Sequence, residues 1–119
     1  MDERIPNFQE SSLVMQLYPL KLVTIVVEEI LKDQIQAEGM SLGATGYSSW
    51  EVQGQGSRGM RHSSVVGSNI RIEFIVSEEV AVKILTHVSH KYYDNYACVA
   101  WMTEIAAIRG EGYIKKPSH

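Results

Sequence analysis

Residues 52–61, Val52-Gln53-Gly54-Gln55-Gly56-Ser57-Arg58-Gly59-Met60-Arg61, gather three glycines, a serine and two arginines into ten positions. Glycine at Gly54 and Gly56 lets the backbone take positive φ and turn successive N–H groups toward one point, which is how a loop forms a concavity for an anion. Arg58 and Arg61 add forked, permanently charged donors whose geometry suits phosphate or carboxylate. The chemistry indicated is anion binding, with Gly54, Gly56, Ser57, Arg58 and Arg61 as the phosphate-binding candidates. The same residue types also suit a solvated surface loop whose arginines keep it soluble, so the flanking elements must decide.

Other reactive residue types form no comparable constellation. His87 and His90 stand three apart on one helical face without a nearby third ligand, so no metal site is expected. Cys98 is the only cysteine, which excludes an intramolecular disulfide and a cysteine zinc cluster, and on a strand it is expected to pack as a small hydrophobe. Glu28-Glu29 and Glu78-Glu79 read as helix starts rather than acid/base pairs. No catalytic residues are expected.

The elements that must position the glycine loop can be read from periodicity. Lys21 to Val27 is a short β-branched run, expected to be a central strand. Glu28-Glu29 then open a helix with Ile30, Leu31, Ile35 and Met40 as its buried stripe and Gly39 as its stop. Gly43 and Gly46 bracket a turn, and Tyr47 to Val52 is a second strand with two aromatics. From Gln53 to Ser68 there is no helical or strand period, and a connection of that length is usually functional or mobile. Asn69 to Val76 alternates apolar Ile70, Ile72 and Phe74 with polar Asn69, Arg71 and Glu73, which predicts a third strand. Ser77 is placed to cap a helix carrying Ala81, Ile84, Leu85, Val88 and Tyr92 at spacings of three and four. A polar turn through Asp94, Asn95 and Tyr96 leads to a fourth strand from Ala97 to Ile105. Val99, Trp101, Thr103 and Ile105 share one of its faces.

The order is βαββαβ, an α+β ferredoxin-like arrangement with two helices on one face of a four-stranded antiparallel sheet. Val23 with Ile25, Trp50 with Val52 and Trp101 with Met102 are read as making the strands apolar on both faces. The bare face is therefore expected to meet another copy of the chain. With 119 residues, 45% hydrophobic and 21% charged side chains and a net charge of -3, the chain reads as one soluble domain with no bias toward nucleic acid. The apolar stretch from Leu13 to Val27 is broken by Gln16, Pro19 and Lys21, so no membrane insertion is expected. Acidic Asp2 and Glu3 argue against a secretion signal, and a cytoplasmic location is expected.

With these elements in place, the chain resembles the PII superfamily of signalling proteins. Within it, the chain resembles the PII-like group associated with bicarbonate uptake and carboxysomes, which includes the SbtB-type regulators. The resemblance rests on Lys21-Leu-Val with Glu28-Glu-Ile-Leu31, on Gly43-Ala-Thr-Gly-Tyr47, on Gly54-Gln-Gly-Ser-Arg58 with Arg61, and on Lys91-Tyr-Tyr-Asp-Asn-Tyr-Ala97. It implies a homotrimer that binds an adenine nucleotide, AMP or ADP, in clefts between subunits, with bicarbonate as a candidate second ligand and no cofactor. It further implies a T-loop over residues 53–68 within a domain of residues 21–107, flanked by an N-terminal extension (1–20) and a C-terminal tail (108–119). Gly54, Gly56, Ser57, Arg58 and Arg61 would hold phosphate, and Asn95, Tyr96 and Ala97 would approach the nucleotide from the other side of the cleft. The partner implied is a bicarbonate transporter or another carbon-metabolism protein.

Some positions depart from that pattern. Val27 stands where a threonine is frequent and Cys98 where glycine is usual, and the paired cysteines of many SbtB-type C-termini are missing, so a redox-gated hydrolase is not expected. Residues 53–68 contain no tyrosine for uridylylation, which puts ordinary 2-oxoglutarate sensing in question. Two alternatives share the architecture. One is an acylphosphatase-like phosphohydrolase, whose phosphate loop follows its first strand rather than its second. The other is a CutA-like metal-binding trimer that would use His87 and His90.

Overall fold

The computed structural model describes residues 16–53 and 68–108. They form strand β1 (Leu17–Glu28), a 3-10 turn (Glu29–Leu31), helix α1 (Lys32–Ser41), strands β2 (Ser48–Val52) and β3 (Asn69–Val76), helix α2 (Glu78–Tyr92) and strand β4 (Cys98–Ile108). The βαββαβ order is therefore the one expected, and the four strands lie in the order β2-β3-β1-β4. Every neighbouring pair is antiparallel. Among the described residues no helix is long and apolar enough to cross a membrane.

β1 is longer than its apolar run. Leu17 to Leu20 continue the strand by pairing with Ile105 to Ile108 of β4, so these residues are sheet rather than extension. The strand is central because both of its edges find partners, with Lys21 to Glu28 paired to β3 and Leu17 to Val27 paired to β4. Val23, Ile25 and Val27 point to the helix side, where they are buried with Ile70, Ile72, Phe74 and Val76 of β3 and with Ala81, Ile84, Val88 and Tyr92 of α2. A one-residue slip would bring Thr24 into this core and put Val23 and Ile25 on the other face, so the burial pattern specifies the register. Each large apolar side chain so buried stabilises the fold by about 1.5 to 3 kcal/mol.

The first helix corrects the sequence reading in three places. Glu28 is still strand and Glu29 lies in a 3-10 turn, so the α-helix begins only at Lys32. That turn points Ile30 outward, 82% exposed, while Leu31 and Ile35 are buried. Gly39 is not the stop. It sits inside α1 against Phe74, and a Cβ there would lie 2.3 Å from the ring's Cζ. The helix ends at Gly43, whose φ of 130° lies in the left-handed region open to glycine. Gly43 N–H donates to the Met40 carbonyl at 3.2 Å and Ala44 N–H to the Gly39 carbonyl at 3.0 Å, the paired bonds of a Schellman cap. At α2 the expected cap is present, with Ser77 Oγ accepting from Val80 N–H.

A polar cluster joins the two helices. Tyr92, 1% exposed, donates its hydroxyl to Glu38 Oε1 at 2.7 Å and accepts from Gln34 Nε2 at 2.8 Å. Lys91 also donates to Glu38, and His87 Nε2 lies 2.9 Å from Glu38 Oε1. Burial alone would raise the Glu38 carboxyl, but the groups around it, led by Lys91 and then Tyr92 and His87, outweigh burial and hold it below its ordinary range. Tyr92 is pushed well above the usual phenol range by burial and by the Glu38 carboxylate. The tyrosine thus packs and donates, as its place on the apolar stripe suggested.

The face of the sheet away from the helices carries Leu22, Thr24 and Val26 of β1. Beside them in register lie Arg71, Glu73 and Ile75 of β3 and Val99, Trp101 and Thr103 of β4. Trp50 and Val52 of β2 belong to this face, whereas Val23, Ile25 and Met102 belong to the helix side. Arg71 lies 6.0 Å from the Trp50 ring centre and 5.6 Å from that of Trp101. Its Nε donates to Glu73 Oε2 at 3.2 Å, and the same oxygen accepts from Thr24 Oγ1 at 3.0 Å. Val99, Trp101 and Trp50 are left exposed.

Gly39→Ala tests the packing of α1 on the sheet. Better helix propensity would favour alanine by about 1 kcal/mol, whereas forcing a methyl into the Phe74 ring costs about 1 to 3 kcal/mol. A net loss of stability is expected in urea unfolding, and Phe74→Leu in the same chain should recover part of it.

Candidate functional site

The four strands bring one end of the sheet together around the close of β1. Val52 of β2 pairs with Asn69 of β3, and Asn69 pairs with Glu28 of β1. On the other side of β1 the ladder begins at Val27 and Cys98, which sets Ala97 next to Glu28. The two roots of residues 54–67 and the turn before β4 therefore converge on one row across the sheet. Gly54, Gly56, Ser57, Arg58 and Arg61 lie outside the described residues. Their segment joins β2 to β3, not β1 to α1 as an acylphosphatase-like loop would.

The turn that holds Asn95, Tyr96 and Ala97 is fixed mainly through its backbone. Asn95 N–H and Tyr96 N–H donate to the Tyr92 carbonyl at 3.2 and 3.0 Å, which closes the last turn of α2. The Tyr96 ring stands edge-on to Tyr92 with centres 5.8 Å apart. Ala97 N–H donates to Glu28 Oε2 at 3.0 Å. Beyond the turn, Ala100 N–H donates to the Tyr93 hydroxyl at 2.9 Å, so a side chain satisfies part of β4.

The downstream root is held from β1 as well. Ser68 Oγ donates to Glu29 Oε1 at 2.9 Å, and Glu29 N–H donates to the Ser68 carbonyl at 3.3 Å. Glu28 and Glu29, read from sequence as the start of a helix, are thus acceptors that tie the two neighbouring strands to β1. The available signal was the pair of carboxylates directly after a β-branched run, but it does not separate a helix start from a strand end.

Cys98 faces the helix side next to Glu28 and packs against the core, as a small hydrophobe would. Burial, with a smaller contribution from the Glu28 carboxylate, pushes its thiol up to about 11, so it is a poor nucleophile at neutral pH. Among the described residues no three His, Cys, Asp or Glu side chains gather in a way that could hold a metal ion.

The sequence profile of the family Nitrogen regulatory protein P-II matches residues 20–112, from β1 through the whole sheet. The chain belongs to this family. A PII-like signalling protein from Thermus thermophilus is 46% identical, with a TM-score of 0.74 over 84% of this chain and 100% of that one. CPII from Thiomonas intermedia K12, in its complex with ADP and bicarbonate, is 25% identical, with a TM-score of 0.72 over 82% of this chain and 97% of that one. CutA from Synechococcus elongatus PCC7942, 17% identical with a TM-score of 0.53 over 77% of this chain and 85% of that one, shares the fold alone. As a P-II family member the chain is a PII-like signalling protein, and its βαββαβ domain is the PII-like fold.

The electrostatics around Cys98 predict slow maleimide labelling at pH 7 compared with a free cysteine, because the thiolate fraction is small while the thiol stays high. In Glu28→Gln the thiol should fall toward its ordinary value and label faster, yet still below the free rate, since burial is the larger cause. Labelling followed by mass spectrometry reads both rates.

Proposed function

We propose that this protein is a non-catalytic homotrimeric regulator that binds AMP or ADP in clefts between subunits and reports the ligand through residues 53–68 acting as a T-loop. Gly54, Gly56, Ser57, Arg58 and Arg61 hold the phosphates. Asn95, Tyr96 and Ala97 form the second wall. The observation that carries this reading is the convergence of both loop roots and the Asn95 to Ala97 turn on one row at the end of the sheet. A loop with phosphate-type residues and a backbone-fixed turn then face the same ligand.

The complex of CPII with ADP and bicarbonate supports an adenine nucleotide as ligand and bicarbonate as a second one. Bicarbonate in turn supports a role among SbtB-type regulators of bicarbonate transport or carboxysome carbon fixation, with a transporter or other carbon-metabolism protein as listener. The assembly rests on the open sheet face, where Trp50, Val99 and Trp101 are exposed and a second copy would cover them. Three sheets packed by this face would bring neighbouring row ends together and complete each cleft. Residues of the signalling surface stay in the aqueous compartment of the cytoplasm.

Two measurements test the proposal. Light scattering should report roughly 40 kDa, three times the chain's 13.4 kDa, and a monomer would remove the intersubunit site. In calorimetry, Arg58→Ala and Arg61→Ala should each weaken ADP or AMP binding by about 1.5 to 3 kcal/mol, the scale of a hydrogen bond to a charged group. Adenosine, which lacks phosphate, should bind the variants and the wild type alike. Unchanged nucleotide affinity in both variants would reduce the loop to a solvated connection.

A further inference from the structure

Two consecutive carboxylates at the end of β1 reach in opposite directions along the sheet. Glu29 holds Ser68, the residue before β3, at two points, through its side-chain oxygen at 2.9 Å and its own N–H at 3.3 Å. Glu28 holds Ala97, the residue before β4, through Oε2 at 3.0 Å. β1 lies between β3 and β4, so one dipeptide grips the last residue before each neighbouring strand. Neither carboxylate forms an ion pair within the described residues, and Glu28 makes no side-chain cap to the turn that follows it. Among the described residues, the side-chain hydrogen bonds they accept go to the two walls.

We propose that Glu28 and Glu29 are positioning residues that fix the gap between the downstream root of the 54–67 segment and the Asn95 to Ala97 turn, and thereby set the affinity of the site. The claim rests on the nucleotide reading above for its ligand, but the grip itself does not. A root held in place before the ligand arrives loses less freedom on binding, so removing the grip weakens binding without removing a ligand contact. The role is one of hydrogen bonding and not of charge. A charge role has the opposite sign, because taking a carboxylate away from a phosphate site would tighten binding.

The test uses the full chain with Glu28→Ala, Glu29→Ala, Glu29→Gln, Ser68→Ala and the Glu29→Ala/Ser68→Ala double variant. In the ligand-free protein, amide exchange should quicken at residue 97 in Glu28→Ala and at residue 29 in both Glu29→Ala and Ser68→Ala. In ADP titrations, Glu29→Ala and Ser68→Ala should each bind about three- to tenfold more weakly, the scale of one lost hydrogen bond. The double variant should be no weaker than the worse single one, and Glu29→Gln, which keeps the acceptor oxygen, should bind as the wild type does. Ser68→Ala alters an exposed hydrogen bond, so folding is not at stake in that arm. Tighter binding by both Glu29 variants, additive losses in the double variant, or unchanged exchange would overturn the positioning role. A wild-type chain that takes up no ADP would sink the nucleotide reading by itself, and the exchange arm would then decide the grip.

Discussion

The double ladder of β1 is the constraint on which the rest of the domain depends. One strand supplies the centre of the sheet and Val23, Ile25 and Val27 of the core, and the Glu28-Glu29 pair where it ends holds both neighbouring strands. Its alternation leaves little freedom. Val23, Ile25 and Val27 must face the helices because they are the side chains that α1 and α2 can cover, and Thr24 then falls on the far side, where Glu73 accepts its hydroxyl. Glu28 and Glu29 follow at the point where the strand runs out of partners. The convergence of the two loop roots and the turn before β4 is thus a consequence of where one strand stops.

The two faces of the sheet solve the problem of burial differently. On the helix side the side chains are apolar and the polar groups are moved to the helix interface. There Glu38 gathers donors from Tyr92 and Lys91, with His87 beside it, so that the phenol is buried without losing a partner. On the open side a charged residue sits in the middle of the sheet. Arg71 stays there because two indoles offer it their π faces and Glu73 neutralises it. Such an arrangement satisfies the arginine on this face and leaves Trp50 and Trp101 exposed.

Family membership and local geometry bear on the site in different ways. The P-II profile spans the sheet and both helices, which establishes the scaffold and the class of signalling protein. The hydrogen bonds that hold Asn95 to Ala97 and Ser68 belong to this chain's own packing. They tie both walls of the proposed cleft to the end of β1.

The alternation of apolar and polar residues determined β3, and the spacing of Ala81, Ile84, Val88 and Tyr92 behind a serine cap determined α2, because both signals are local and every turn of the element repeats them. The glycine- and arginine-rich segment was legible only as residue types between two strands, and Gly54 to Arg61 lie outside the described residues. What the sequence could not decide were features that depend on a distant partner. Gly39 looked like a helix stop because glycine is a poor helix former, yet Phe74, far along the chain, needs the space that its missing side chain leaves. Leu17 to Leu20 looked like an extension until β4 supplied the second half of their ladder. Glu28 and Glu29 carried the marks of a helix start. Only the tertiary structure, by setting Ala97 and Ser68 within hydrogen-bonding distance, turned them into the residues that hold the starts of β3 and β4.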